Sequence, residues 1–313
     1  MKKDLTTGNI IKTMLIFAGP MIIGNLLQQF YNIADTLIVG RFVGADAMAS
    51  VGAAYTLMTF LTSILIGLCM GSGSLVSFYF GKQDKEKMEV CVQGSFLLIG
   101  GVTVVINVLV FVFINQILRI LQIPAEILEM SHEYVKIIFA GIFFVFLYNY
   151  YAYLLRSIGN SVIPLVFLGT TSVLNVVLDI IFVVTFGWGI GGAAQATVIS
   201  QAISGVGISI YVWIKEPVFR LRLFGKNRIF LTRESMQEIT RFSFAASIQQ
   251  SVMNLGILMI QGLVNSFGVA VMAAFTAAVK IDSFAYMPAQ EFGNAFSLFI
   301  SQNHGAGKEN RIR

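Results

Sequence analysis

Charge-poor apolar runs divide the chain into residues 13–39, 47–80, 92–114, 135–155, 163–186, 194–214, 242–267 and 271–303. A helix needs about 20 apolar residues, at about 1.5 Å each, to cross a bilayer, and every run is long enough. The pattern therefore predicts eight spanning helices. Gly44, the GKQDKEK stretch, Pro124, the RSIGNSVIP stretch and the GWGIGGAA stretch mark the turns between them. One long polar stretch remains, residues 215–241, between the sixth and seventh spans. The lead KKDLTTGNII reads as a short amphipathic piece lying in the membrane interface ahead of the first span.

Polar residues inside these runs are few and patterned. In the first span Gln28, Tyr31, Asn32 and Asp35 recur at spacings of three, four and seven, which puts them on one helix face ending in a carboxylate. A carboxylate at mid-span costs about 2.5 to 3.5 kcal/mol on insertion scales, so it faces a bundle interior or a wet cavity and needs a partner there. Asp179, with Asn175 one turn earlier on the same face, is the only other carboxylate deep in the first six spans. In the eighth span Lys280 and Glu291 are 11 residues apart. That is close to three turns, so they share a face at about 16 Å, while Asp282 points elsewhere. Lys280 has two readings, a cavity position or a snorkelling one. Pro20 and Pro288 allow kinks in the first and eighth spans.

Composition narrows the class. Hydrophobic residues make up 56% of the chain and charged residues 12%, with mean hydropathy +0.79, whereas a soluble domain carries about 25% charge. The net charge of +5 follows from topology rather than nucleic-acid binding: with the N-terminus inside, 17 of the 21 lysines and arginines fall on the cytoplasmic side. A plasma-membrane, multi-pass protein with a cytoplasmic N-terminus is the expectation. Cys69 and Cys91 have no CxxC spacing and no nearby histidine, so they read as small buried hydrophobes. Catalysis is not expected, since GxSxG and HExxH are absent and the GK pairs lack the phosphate-cradling GxxxxGK[ST] context. No cofactor or metal is expected either.

A slide of 224 residues sets GADAMASVGAA over GVAVMAAFTAA and aligns Gly81 with Gly305, each glycine opening a polar loop. Six spans separate equivalent positions, an even number, so the repeat is parallel and its axis lies along the membrane normal. The fold expected is an all-α polytopic membrane helix bundle of two six-helix lobes related by a pseudo-two-fold. Residues 1–214 form the first lobe, 215–241 a cytoplasmic linker, and 242–313 the opening of a second, incomplete lobe. Lobes of equal length imply a natural product of about 450 residues.

The stretches GPMIIGNLLQQFYNIADTLIVGRFVGADAMASVGAA, LRSIGNSVIPLVFLGTTSVLNVVLDIIFV and FTAAVKIDSFAYMPAQEFGNAFSLFISQNHGAGK resemble the multidrug and toxic compound extrusion (MATE) family along essentially the whole chain. The resemblance implies twelve spans in two lobes, with this chain ending after the eighth, and export of organic, often cationic compounds in exchange for protons or sodium. It implies a coupling site at Asp35 with Tyr31, at Asn175 with Asp179, and at Thr197 and Asn149. A substrate cavity is expected at Gln28, Asn32, Lys280 and Glu291. The coupling ion expected is the proton, with sodium as the alternative, since Asp, Asn, Thr and Tyr oxygens can all coordinate it. The full-length protein is expected to be a monomer in the lipid bilayer, taking small organic substrates and no nucleic acid. A flippase for a lipid-linked saccharide shares this architecture, but would need a cationic cavity where the polar set here is acidic.

Overall fold

The computed structural model describes residues 3–221 and 231–312, apart from the side chains of residues 253, 280 and 283. Every long element in it is a helix. They are α1 (Ile10–Phe42), α2 (Ala45–Gly81), α3 (Lys85–Ile120), α4 (Leu128–Ala140), α5 (Ile142–Ser157), α6 (Val162–Asp179), α7 (Gly189–Lys215), α8 (Arg233–Asn265) and α9 (Val269–Gly305). Among the described residues six helices are long and apolar enough to cross a membrane: α1, α2, α3, α6 with its extension, α7 and α8. Two bent pairs bring the number to eight: α4 with α5, bent by 47°, and the two parts of α9, bent by 48°. The α4–α5 break falls at Gly141, and the α9 break ends at residue 284, whose carbonyl Pro288 leaves without its helical donor. Pro20, by contrast, sits within a helix unbroken from Ile10 to Phe42. Part of the polar stretch 215–241 lies outside the described residues, as do Lys2, Arg222, Lys226, Arg228 and Arg313, which were counted for orientation.

The outer surface follows from composition. On α3 the side chains of Val104, Val105, Val108, Leu109, Phe111, Val112 and Phe113 are exposed, a face suited to acyl chains, while Thr103, Ile106, Val110 and Ile114 turn inward.

Close packing centres on α2, which lies against both α8 and α9. Glycines make this possible. A Cβ on Gly71 would overlap the Phe242 carbonyl, and one on Gly67 would overlap the Ser247 backbone. At the ends of α2 and α9, Gly81 meets the Gln302 carbonyl and Gly305 meets the Phe78 carbonyl. Positions 78 and 81, carried 224 residues on, are 302 and 305, so the two contacts exchange under the repeat. Gly52 likewise meets its own repeat equivalent, Thr276. Reciprocal contacts of this kind are what a two-fold axis between the repeats requires.

The N-terminal lead departs from expectation. Residues 4–9 are not helical, and Leu5 is fully buried rather than lying in an interface. Local chemistry stops the helix: Thr6 N and Oγ1 both donate to Asp4 Oδ1, at 2.8 and 2.7 Å, Gly8 has φ 75°, and Asn9 caps α1 by accepting from Lys12 N at 3.1 Å. Burial raises the Asp4 carboxyl, but the Thr6 hydrogen bonds outweigh it and hold the group below its ordinary value. Leu5 joins Met14, Phe17, Ala18 and Met21 of α1 and Ala295, Leu298 and Phe299 of α9 in a small second core.

Candidate functional site

The acid pair sits where α1 packs on α6. Asp35 lies on the buried side of α1, and Asp179 closes α6, fully buried, just before a π-helical stretch (Ile180–Thr185). Such stretches widen a helix locally and occur often at functional sites. The two carboxylates lie close enough for their charges to interact, and Tyr31 and Tyr134 lie within electrostatic range of both. Neither oxygen of Asp179 receives a hydrogen bond among the described residues. A charge buried in that way is costly until a proton or a cation neutralises it.

One turn before each acid the chain reaches a large cavity of about 1310 Å³ of empty space, open solvent included. Its walls include Gln28, Tyr31 and Asn32 of α1, Asn149 of α5, Asn175 of α6, Thr197 of α7 and Glu291 of α9. Asn175 Nδ2 donates to Thr197 Oγ1 at 3.4 Å, tying α6 to α7 beside the acids. Asn149 lines the wall while donating to Val145 O of its own helix at 2.9 Å. Asp35 and Asp179 lie outside the lining, beyond Tyr31 and Asn175. The side chain of Lys280 lies outside the described residues, and Asp282 borders a separate, smaller cavity with Tyr55 and Tyr286.

Three features escaped the sequence reading. Arg156, which opens the RSIGNSVIP turn and by that position alone reads as one of the cytoplasmic cations, is drawn inward at the end of α5: its Nη1 lies 4.0 Å from Glu291 Oε2, with the two side chains 12% and 11% exposed. Glu291 Oε1 also accepts from Asn25 Nδ2 at 3.4 Å and Asn294 Nδ2 at 3.2 Å, and the Arg156 guanidinium lies 5.2 Å from the Tyr153 ring centre. Tyr134 of α4, buried within electrostatic range of the acids, lies just before the predicted fourth span. The third feature is a wealth of amides, with Asn25, Gln29, Gln201, Gln250, Asn254 and Gln290 all on the cavity wall. Asn25 was legible, since it precedes Gln28 by three and Asn32 by seven on the same helical face. Among the described residues no group of three or more His, Cys, Asp or Glu is placed to hold a metal, and both cysteines are buried and free.

The MatE family profile matches residues 20–181 and 243–313. The chain is 32% identical over 309 residues to the probable multidrug resistance protein YpnP of Bacillus subtilis (strain 168), covering 99% of this chain and 68% of that protein. It is 28% identical over 282 residues to the multidrug export protein MepA of Staphylococcus saprophyticus, covering 88% of this chain and 60% of that protein. Among solved structures, the outward-facing conformation of a multidrug resistance MATE family transporter of the MOP superfamily superposes with a TM-score of 0.87 at 25% identity, covering 98% of this chain and 68% of the other. A MOP superfamily transporter from Pyrococcus furiosus, described as having a binding pocket of reverse polarity, gives the same TM-score, identity and coverage.

Proposed function

The chain belongs to the MatE family, whose members are membrane transporters and not enzymes, and on that premise we propose that it serves secondary active multidrug efflux, exchanging organic, often cationic compounds for protons. The observation that carries this reading is the acid pair set one helical turn behind the wall of a large cavity in which amide side chains are set among apolar ones. Asp35 and Asp179 form the coupling unit. Uptake of a proton from outside neutralises one carboxylate of the pair, relieves the repulsion between α1 and α6, and lets those helices repack where Tyr31 and Asn175 touch the cavity. Cation and drug then compete for one site through a shift of its walls. Sodium is the alternative ion, and the oxygens of Asp35, Asp179, Asn175, Thr197 and Tyr31 are its candidate ligands.

The substrate cavity comprises Gln28, Asn32 and Glu291, with Lys280 assigned to it on sequence alone. Its amides, with Met58, Met287 and Phe144, form an adaptable wall suited to varied compounds. A lipid-linked pyrophosphate would call for lysine or arginine, and neither is among the described lining residues. Residues 1–214 act as one lobe and the segment from 242 as the beginning of the other, rocking about the α2–α8–α9 contact in the plasma membrane with the N-terminus cytoplasmic.

Ethidium efflux tests the reading. Cells making the natural full-length protein should extrude the dye faster when an inward proton or sodium gradient is imposed, and collapse of both gradients should stop them. If extrusion ignores both gradients, secondary transport is ruled out.

A further inference from the structure

Two clusters of buried amides sit at opposite ends of the interface between α8–α9 and the helices before them. At the face carrying the N-terminus, Gln302 Oε1 accepts from Leu5 N at 3.0 Å while its Nε2 donates to Ser157 O at 3.3 Å. Asn303 Nδ2 donates to Leu5 O at 3.1 Å. Beyond them Lys308 Nζ donates to Thr6 O at 2.8 Å and Arg311 Nη1 to Gly8 O at 2.6 Å. Lys3 N, in turn, donates to Gly159 O at 3.1 Å. Residues 3–8 thus form a strap tying the end of α9 to the α5–α6 turn.

At the opposite face a second chain of bonds runs between helices. Thr56 Oγ1 donates to Gln261 Oε1 at 3.1 Å, Gln261 Nε2 to Asn265 Oδ1 at 2.8 Å, and Asn265 Nδ2 to Leu121 O at 2.6 Å. It ties the end of α8 to α2 and to the end of α3. Gln302 and Asn303 are fully buried, and Gln261 and Asn265 are 1% and 2% exposed. A buried amide stripped of its partner pays its desolvation penalty, so these bonds are made as a set or broken with water entering. The substrate cavity lies between the two clusters, lined by α1, α2, α5, α6 and α7 on one side and by α8 and α9 on the other.

We propose that these clusters are the two gates of the transporter: Gln302 with Asn303 positions the strap that closes the N-terminal face, Gln261 with Asn265 closes the other, and the cycle breaks them in turn. This rests on the alternating-access reading above. Opening the cavity toward a face requires α8 or α9 to part there from the earlier helices, and at each face the amides span that parting line. Gln302 fits the role because one side chain holds both the strap and α5, so its release frees both.

The test uses the full-length protein in oriented proteoliposomes, with Cys69→Ala and Cys91→Ala and a reporter Thr59→Cys on the cavity wall. A membrane-impermeant maleimide is applied from either side. Gln302→Met, which keeps volume and loses two hydrogen bonds, should raise labelling from the N-terminal face about tenfold and lower it from the other. Asn265→Leu should do the reverse. Labelling that moves in the same direction in both variants, or in neither, overturns the proposal. A second measurement uses folded, otherwise intact protein: Thr6→Cys with Lys308→Cys, bridged by a short bis-methanethiosulfonate, should stop export until a reductant restores it. Undiminished export with the bridge in place overturns the assignment of the strap. If the unmodified protein exports no drug while the two variants still shift labelling in opposite directions, the gates stand and the export reading falls.

Discussion

Replacing Glu291 by glutamine removes one charge from a pair that links α5 to α9 and keeps nearly everything else. The carboxylate oxygen and guanidinium nitrogen are 4.0 Å apart, too far for a hydrogen bond, so the attraction is Coulombic. At that separation and an effective dielectric of about 20 it amounts to roughly 4 kcal/mol. Glutamine preserves the acceptor that Asn25 and Asn294 use, so the substitution isolates the charge. Arg156 is left in a largely buried place with the Tyr153 ring, a contact worth roughly 1 to 2 kcal/mol. The expected destabilisation is about 3 kcal/mol, in the range found when one partner of a buried pair is deleted. Arg156→Met in addition removes the orphaned cation and should return stability to within about 1 kcal/mol of the parent. Unfolding of the detergent-solubilised protein by sodium dodecyl sulfate, followed through Trp188 and Trp213 fluorescence, measures all of these. The reasoning fails if Glu291→Gln alone stays within about 0.5 kcal/mol of the parent, or if the double variant loses the sum of the two singles.

Asp35→Asn and Asp179→Asn should each keep insertion and drug binding while losing gradient-driven export, and the double variant should be little worse than either; near-normal export by Asp35→Asn in vesicles with an imposed gradient would remove it from the coupling site. Gly71→Leu has to push against the Phe242 carbonyl and should cost about 3 kcal/mol or prevent folding, whereas Gly101→Leu, with open space at its Cβ, should leave the yield of folded protein unchanged. Thr197→Val removes the hydroxyl that Asn175 bonds at 3.4 Å and should cost about 1 kcal/mol or less, read in the same unfolding assay, while changing the proton dependence of export.

How much of this was legible in the chain varies with the range of the interaction. The eight apolar runs, the stripe from Gln28 to Asp35 and the Asn175–Asp179 pairing are written in local periodicity. The bilayer demands about 20 apolar residues per crossing and a helix repeats every 3.6, so they can be read without knowing any neighbour. The 224-residue offset was also present in the sequence, and the exchange of the Gly81–Gln302 and Gly305–Phe78 contacts gives it a spatial meaning.

What tertiary structure alone decided is which helix faces meet. Nothing near Arg156 points to Glu291, 135 positions away, and a cation beside a turn follows the same local pattern whether it meets headgroups or a buried carboxylate. The lead was misread for a related reason. Its two-sided polarity suits an interface equally well, and only the proximity of Gln302, Asn303, Lys308 and Arg311 turns residues 3–8 into a strap. Tyr134 came within electrostatic range of the acids only through the packing of α4 against α2, α3 and α7. A sequence fixes the period of each helix through its own backbone. The partner of each face depends on where glycines let two backbones approach, and a glycine records that an approach is possible without recording what approaches.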